Sequence, residues 1–346
     1  MTSPSVSNSI TRELERTPEM AAVSAEWGRG SCGDLGSFVA REMTPLQQIS
    51  GVQGTESPAY LDRIDKSLAD TRQRVVPACA KFFVPGRCEH GHEFFRMTAC
   101  GFEWCAECRD GMHGRRISRW LPKVQQLESM GYLVVTIPPE DRGRFRTREE
   151  LAGAGKLATA VVRRTWARGL RRWHWMGSQG TVYHPHLNYL VDGGRVSKAQ
   201  LRQLRRELAS AMGLSREPVV NYSYTRKPGQ MWHHLSYVTR ATFLERSWDE
   251  ELASELYGFR NVAWWGAWAG PPAWSLDDLG GDPHGDQGGP QPGELAAVGK
   301  LEEGTCPIDG TRIRWHHAVH IDNLPTDLVD LGGGYWLNTW SCGPGP

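Results

Sequence analysis

Four thiols crowd into 21 residues of this 346-residue chain, in the run CEHGHEFFRMTACGFEWCAEC at positions 88–108. Eight cysteines are too few for a disulfide scaffold at this length. The opening MTSPSVSNSITRELERTPEM also lacks the apolar segment of a secretory signal, so the crowding points to metal rather than to disulfides. The pair Cys105-x2-Cys108 sets two thiolates on one tight knuckle, and Cys88 and Cys100 upstream complete a tetrahedral set for structural Zn²⁺. His90 and His92 compete with Cys88 for the fourth position, which stays open. In a segment too short to bury a core, such a metal supplies much of the folding energy. Four buried, reduced thiols are the plainer alternative. No apolar run approaches the roughly 18 residues of a membrane span, so no membrane partner and a soluble, cytoplasmic protein are expected.

The near-neutral total conceals a strong segregation of charge. Lys and Arg number 40 against 39 Asp and Glu, a net +1, which excludes a chain basic along its whole length. Residues 141–240 nevertheless hold 19 Lys/Arg and 6 Asp/Glu, a net +13, whereas residues 247–303 hold 2 and 11, a net −9. A basic stretch interleaved with Trp166, Trp173, Trp175, Tyr183, Tyr222 and Tyr224 is what phosphate contacts and base stacking require. Arg163, Arg164, Arg171 and Arg172 are the expected DNA contacts within it; a solvated helix face is the competing reading.

Four regions follow from these patterns: a flexible leader (1–76), a zinc-binding module (77–112), a domain of alternating helices and strands (113–246), and an acidic, linker-containing C-terminal region (247–346). The fold class is α+β, with an antiparallel central sheet flanked by helices. Within the third region, Ile117, Leu121, Val124 and Leu127 predict a helix over 113–130, and YLVVTI at 132–137 predicts a buried strand stopped by Pro138 and Pro139. A helix is expected from Thr147 to about Leu170, a strand over 181–191, and a helix capped by Ser197 with Leu201, Leu204, Leu208 and Met212 on one face. GAGK at 153–156 is no phosphate-binding loop, because Glu150 stands where the first glycine belongs and Leu157 replaces the Ser/Thr. In the tail, Cys306-Pro-Ile-Asp309-Gly looks like half a zinc ribbon whose second cysteine has become aspartate, and a metal-free remnant is expected there.

The string GSQGTVYHPHLNYLV (177–191) carries the chemistry. Alternation along a strand turns Val182, His184, His186 and Asn188 to one face, with the two imidazole-bearing positions roughly 7 Å apart. Downstream, Pro228-Gly229 opens a helix on which His233, Tyr237 and Arg240 share a face while Leu235, Val238 and Thr242 line another. With Cys88–Cys108 ahead of them, and with GYLVVTIPP at 131–139 as a preceding strand, these segments resemble the HUH (His-hydrophobic-His) endonucleases of rolling-circle plasmid replication and two-tyrosine transposition. The resemblance covers about residues 85–246, with Pro185 in the hydrophobic slot.

That resemblance implies an RRM-like palm in which His184 and His186, with Gln179 as third ligand, hold a catalytic Mn²⁺ or Mg²⁺. Tyr237 would attack a DNA phosphate, with Arg240 or Lys227 neutralising its charge. Gln179 lies five residues before His184, which is odd parity on a strand, so a turn at Gly177 or Gly180 must correct it; His174 and Glu140 are the reserves. The position four residues before Tyr237 is His233, which favours single-tyrosine replication initiators over transposases. The substrate implied is single-stranded or locally melted DNA at a replication origin, with host helicase and polymerase as further partners. A zinc-containing DNA-binding regulator is the reading from another class.

Overall fold

The computed structural model describes residues 79–177, 181–244, 246–279 and 292–342. The leader expected over 1–76, Gln179, and most of the Gly/Pro/Asp-rich segment after residue 277 lie outside the described residues. In chain order the strands and α-helices are β1 (Phe82–Arg87), β2 (Glu93–Met97), α1 (Arg109–Val124), β3 (Met130–Thr136), α2 (Arg148–Val162), β4 (Gly169–Met176), β5 (Tyr183–Asp192) and α3 (Lys198–Met212). After them come β6 (Val219–Thr225), α4 (Pro228–Thr239), α5 (Glu250–Glu255), β7 (Val262–Trp265), α6 (Pro292–Glu302), β8 (Arg314–Trp315), β9 (Val319–His320), β10 (Leu328–Gly332) and β11 (Tyr335–Asn338). The described residues are α+β, built on two antiparallel sheets. One runs β6-β3-β5-β4-β7; the other runs β10-β11-β2-β1-β8, with β9 also pairing β1.

Local chemistry sets most boundaries of the central sheet. Thr147 caps α2 by accepting from the Glu150 backbone N–H while the Glu150 carboxylate accepts from the Thr147 N–H, and Ser197 and Gln200 do the same for α3. Gly213 ends α3 in the left-handed region, φ 60°, where a side chain would be strained. The helix expected to reach Leu170 stops at Val162, because Gly169–Met176 is a strand. Every residue of β4 is buried, Arg171, Arg172 and His174 included, so it lacks the polar/apolar alternation that marks a strand in sequence. The helix expected over 113–130 lies earlier, at Arg109–Val124.

Alternation along the strands divides the interior. Leu133, Val135, Trp173, Leu187, Tyr189 and Val191 pack with α2 and α3 on one face. On the other, Leu170 and Leu190 pack with α1 and α4, through Ile117, Trp120, Leu121, Met231, Trp232 and Leu235. His174, His186 and Asn188 have the parity of Leu170 and Leu190 and so belong to this second face.

The C-terminal region is not an appendage. β7 pairs with β4 and extends the central sheet, while β8, β9 and β11 pair directly with β1 and β2. The residues expected to form a self-contained zinc module therefore share their sheet with the tail. Short strands far apart in sequence carry too little periodicity to announce this pairing.

A buried ion network joins the cysteine-rich loop to the central sheet. Arg172, only 1% exposed, pairs through Nη2 with Glu103, whose Oε1 also lies 3.3 Å from Arg116 Nη1. Its Nη1 donates to the carbonyls of Val238 and Arg240, and Arg116 donates to that of Thr239 at 2.7 Å. One guanidinium thus gathers the last turn of α4, satisfying carbonyls that a helix end leaves without partners. Burial alone would push the Glu103 carboxyl up, but Arg172, Arg116 and the Thr242 backbone N–H bring it down to about 2. Removing one partner strands the others in a dry site, so Arg172→Met should lower the unfolding free energy by about 3–5 kcal/mol in urea titrations. Because the Glu103 pKa is depressed on folding, its contribution is complete above the ordinary 4.5 and disappears as pH falls towards 2. Glu103→Gln should flatten the acid limb of a stability–pH curve in that window.

Candidate active site on the central sheet

Strands β4 and β5 set the histidines side by side. His174 and His186 are direct cross-strand partners, their rings 5.3 Å apart, and the His184 ring lies 5.4 Å from that of His186. The pairing shifts register between His174 and Met176, the kind of irregularity that re-aims side chains beside a site. From α4, the Tyr237 ring stacks obliquely on His174 with centroids 5.5 Å apart. The Arg240 guanidinium also sits over that phenol, 4.0 Å from its centroid. Tyr132 of β3 closes the group: its hydroxyl donates to Asn188 Oδ1 at 2.6 Å, and its ring stacks on His234 and meets Tyr237 edge-on.

Burial keeps these imidazoles uncharged at neutral pH. It lowers His186 to about 4, with the nearby His184, Arg240 and Arg142 adding to the effect, and it holds His174 well below the usual histidine range, helped by Arg172. His184, more open to solvent, is lowered by burial and by Arg142. His186 Nδ1 lies 2.8 Å from the His184 carbonyl oxygen and must carry the proton there, which leaves Nε2 with its lone pair free. A backbone carbonyl fixing one ring nitrogen so that the other can ligate is a usual outer contact of a metal-binding histidine. His174 donates through Nε2 to the Val238 carbonyl at 3.2 Å, which ties β4 to the residue following Tyr237. Alongside lies a cleft of about 460 Å³, lined by Arg109, Asp110, His113, His174, Arg240 and Trp248 among others.

The structure thus brings Tyr237 and Arg240 to the face that carries His184 and His186, and it adds residues that sequence reasoning missed or held in reserve. Recognising β4 as a strand would have found His174, since its antiparallel pairing with β5 sets it opposite His186. Strand alternation already turned Asn188 to the face of His184 and His186, whereas Tyr132 gave no signal, being an ordinary strand residue until the register is known. Glu140, the other reserve, is exposed and paired with Arg216 at 2.6 Å. Gln179 lies outside the described residues.

Several expected contacts are corrected. Arg171 and Arg172 are not available to DNA, being 5% and 1% exposed on the buried strand β4. Arg171 packs against Gly155, where an added Cβ would fall 1.7 Å from its Nη1; close packing is thus the use of the glycine in GAGK. Arg163 and Arg164 are exposed, but they follow α2, on the sheet face opposite the histidines, and Arg164 pairs with Glu207. Lys227 is the N-cap of α4, ten residues and so about 15 Å of helix from Tyr237. Trp166, Trp173 and Trp175 are core residues rather than stacking platforms. Tyr224, on β6, is 47% exposed.

The cysteines regroup as well. Cys79, Cys100, Cys105 and Cys108 bring their sulfurs within 4.8 Å of one another, with Cys79 and Cys108 3.3 Å apart. Four converging thiolates of this kind could hold a metal such as zinc. Cys79 takes the position expected for Cys88, and Cys88 lies instead against His92, Cys306 and Asp309. The reason is the hairpin: β1 and β2 pair antiparallel, so their outer ends bring Cys79 and Cys100 together while Cys88 caps the opposite end. Hydrogen bonds from Cys100, then Cys108 and Cys79, hold the Cys105 thiol far below its usual range, while the same contacts push Cys79 and Cys100 up, so the cluster without a metal keeps its negative charge on the Cys105 side. Cys108 is also the N-cap of α1, where the helix dipole favours negative charge. Among the described residues, only these two groups bring three or more such donor atoms that close; His174, His184 and His186 do not form a third.

Compared with protein-family models, curated proteins and solved structures, the chain matches none.

Metal analysis tests the four-thiol cluster. Cys105→Ser with Cys108→Ser should lose one bound zinc, and its thermal unfolding midpoint should fall by several degrees. Treatment of the unaltered protein with a strong chelator should lower the midpoint at least as far.

Proposed function

We propose that this chain is a metal-dependent DNA-nicking enzyme of the HUH kind, which initiates rolling-circle replication of a plasmid or similar element through a 5′-phosphotyrosyl intermediate on Tyr237. The observation that carries the proposal is the stacking of Tyr237 on His174, whose cross-strand partner is His186. Phenol and imidazoles lie 51 to 63 residues apart in sequence and arrive on one face only through the fold. The framework agrees with an RRM-like palm: β3-α2-β4-β5-α3-β6 runs β-α-β-β-α-β, the strands lie in the order β6-β3-β5-β4, and both crossover helices pack on one face. The face left free by α2 and α3 carries the histidines and α4. The zinc module preceding such a palm corresponds here to the Cys79, Cys100, Cys105 and Cys108 cluster, with Zn²⁺ in a structural role.

His184 and His186 fit as ligands of Mn²⁺ or Mg²⁺ because both are neutral at physiological pH and Nε2 of His186 is free. A divalent ion held there would supply Lewis-acid polarisation of a non-bridging phosphate oxygen. The chain's own groups account for the remaining steps. Tyr237 gives up its hydroxyl proton to solvent or a nearby neutral imidazole and attacks phosphorus; the P–O3′ bond breaks, and the strand keeps a free 3′-hydroxyl that a polymerase can extend. Arg240, held over the phenol ring, stabilises the developing phenolate and the phosphate charge. Arg109 and Arg240 line the cleft, and Arg142 lies close enough to depress both His184 and His186, so three cations border the path of a single strand.

Incubating the protein with single-stranded origin DNA and Mn²⁺ should give a covalent adduct, mapped to Tyr237 by mass spectrometry. Tyr237→Phe should reduce adduct formation by more than about 10³-fold, and His186→Ala should come close to that, while both variants still bind DNA. Binding with no adduct in the unaltered protein would support the DNA-binding regulator instead.

A further inference from the structure

A second group of donor atoms meets at the turn of the β1–β2 hairpin. We propose that Cys88, His92, Cys306 and Asp309 bind a structural Zn²⁺ that fastens the C-terminal region to the hairpin, independently of any nicking activity. One donor atom from each lies within 4.8 Å of all the others. Zinc bonds of about 2.3 Å to sulfur and about 2.0–2.1 Å to nitrogen or oxygen give tetrahedral edges of about 3.3–3.8 Å, the longest between two sulfurs. Cys88 Sγ is 3.3 Å from His92 Nδ1 and 3.3 Å from Asp309 Oδ2, and Cys306 Sγ is 3.6 Å from His92 Nδ1. His92 Nδ1 and Asp309 Oδ2, at 2.9 Å, are slightly closer than an ion between them requires. His90 Nδ1 also reaches Asp309 Oδ2, at 3.0 Å, but its side chain is 66% exposed. His92 is the better ligand because it shares the pocket with two buried thiols.

Two knuckles present these groups. In the first, the Gly91 N–H donates to the Cys88 carbonyl and the Cys88 N–H to that of His92, with Gly91 at φ 90°. In the second, the Gly310 N–H donates to the Cys306 carbonyl and the Cys306 N–H to that of Thr311, with Gly310 at φ 76°. Each turn therefore spends a left-handed glycine to fold ligands back towards one point. Asp309 is oriented from behind: its Oδ1 accepts from the Thr311 backbone N–H at 2.8 Å and hydroxyl at 2.6 Å, leaving Oδ2 for the cluster. Cys88 and Cys306 also belong to an apolar cluster with Phe94, Leu301, Ile313 and Tyr335, which would shield the ion from water. The metal-free remnant expected at Cys306-Pro-Ile-Asp309 is one half of this arrangement, and the other half lies more than two hundred residues earlier.

Elemental analysis and zinc X-ray absorption on the full chain distinguish one site from two. The unaltered protein should hold two zinc ions per chain with an average shell of about three sulfurs and one nitrogen or oxygen. Cys306→Ala with Asp309→Ala should leave one zinc in an all-sulfur shell, and Cys105→Ser with Cys108→Ser should leave one in a shell of half sulfur and half nitrogen/oxygen. Asp309→Cys guards against a variant that fails to fold, since it should keep two zinc ions while raising the average sulfur count. A single zinc in an all-sulfur shell in the unaltered protein, or no rise in sulfur in Asp309→Cys, would overturn the proposal.

Discussion

The structure turns on a guanidinium kept out of water. Arg172 rises from the central sheet into a space where every direction must supply a partner: Glu103 on one side, the carbonyls of Val238 and Arg240 on the other. A charge in such surroundings is tolerated only when it is paired and hydrogen-bonded, so the position of each partner is fixed by the needs of the others. Glu103 stands between Cys100 and Cys105, and Val238 follows Tyr237. The thiol cluster, the sheet and the end of α4 are thereby joined through one side chain, and the setting of the tyrosine helix depends on a loop far from it in sequence.

The same burial shapes the histidine face. Each imidazole packed between the sheet and α1 or α4 loses hydration, so protonation is disfavoured for His113, His174, His186 and His234 alike; nearby arginines add repulsion at the first three, and His233 adds it at His234. A cluster of this kind in open solvent would titrate near neutrality and repel cations during part of the physiological range. Here it presents lone pairs throughout that range, with cationic Arg240 and Arg142 set at its edge.

How far the sequence spoke depended on the kind of signal. Helices with a one-sided apolar stripe and a capping pair, α2 and α3, were legible to within a residue at their N-termini. Strand β3, bounded by Pro138 and Pro139, was legible for the same local reasons. Strand β4 was not, because its two arginines and its histidine are all buried and imitate the polar end of a helix. Missing that strand assigned Arg171 and Arg172 to the surface and left His174 as a mere reserve. The thiol cluster was legible as chemistry but not as membership: spacing named Cys88, whereas hairpin pairing selects Cys79. Contacts between residues 82–97 and 306–338 left no local trace.

The six-stranded sheet has a consequence for how the chain comes off the ribosome. Its inner strands, β1 and β2, are synthesised early, while the strands that cover their edges, β8, β9 and β11, emerge more than two hundred residues later. Through that interval the nascent hairpin exposes unpaired backbone along both sides, together with Phe83, Phe94 and Phe95, which end up buried. The central sheet, complete but for β7 by residue 225, is able to assemble first. The hairpin must then stay soluble until the last strands arrive, which makes the interval before release the period when the polypeptide is most exposed to chaperones and to aggregation.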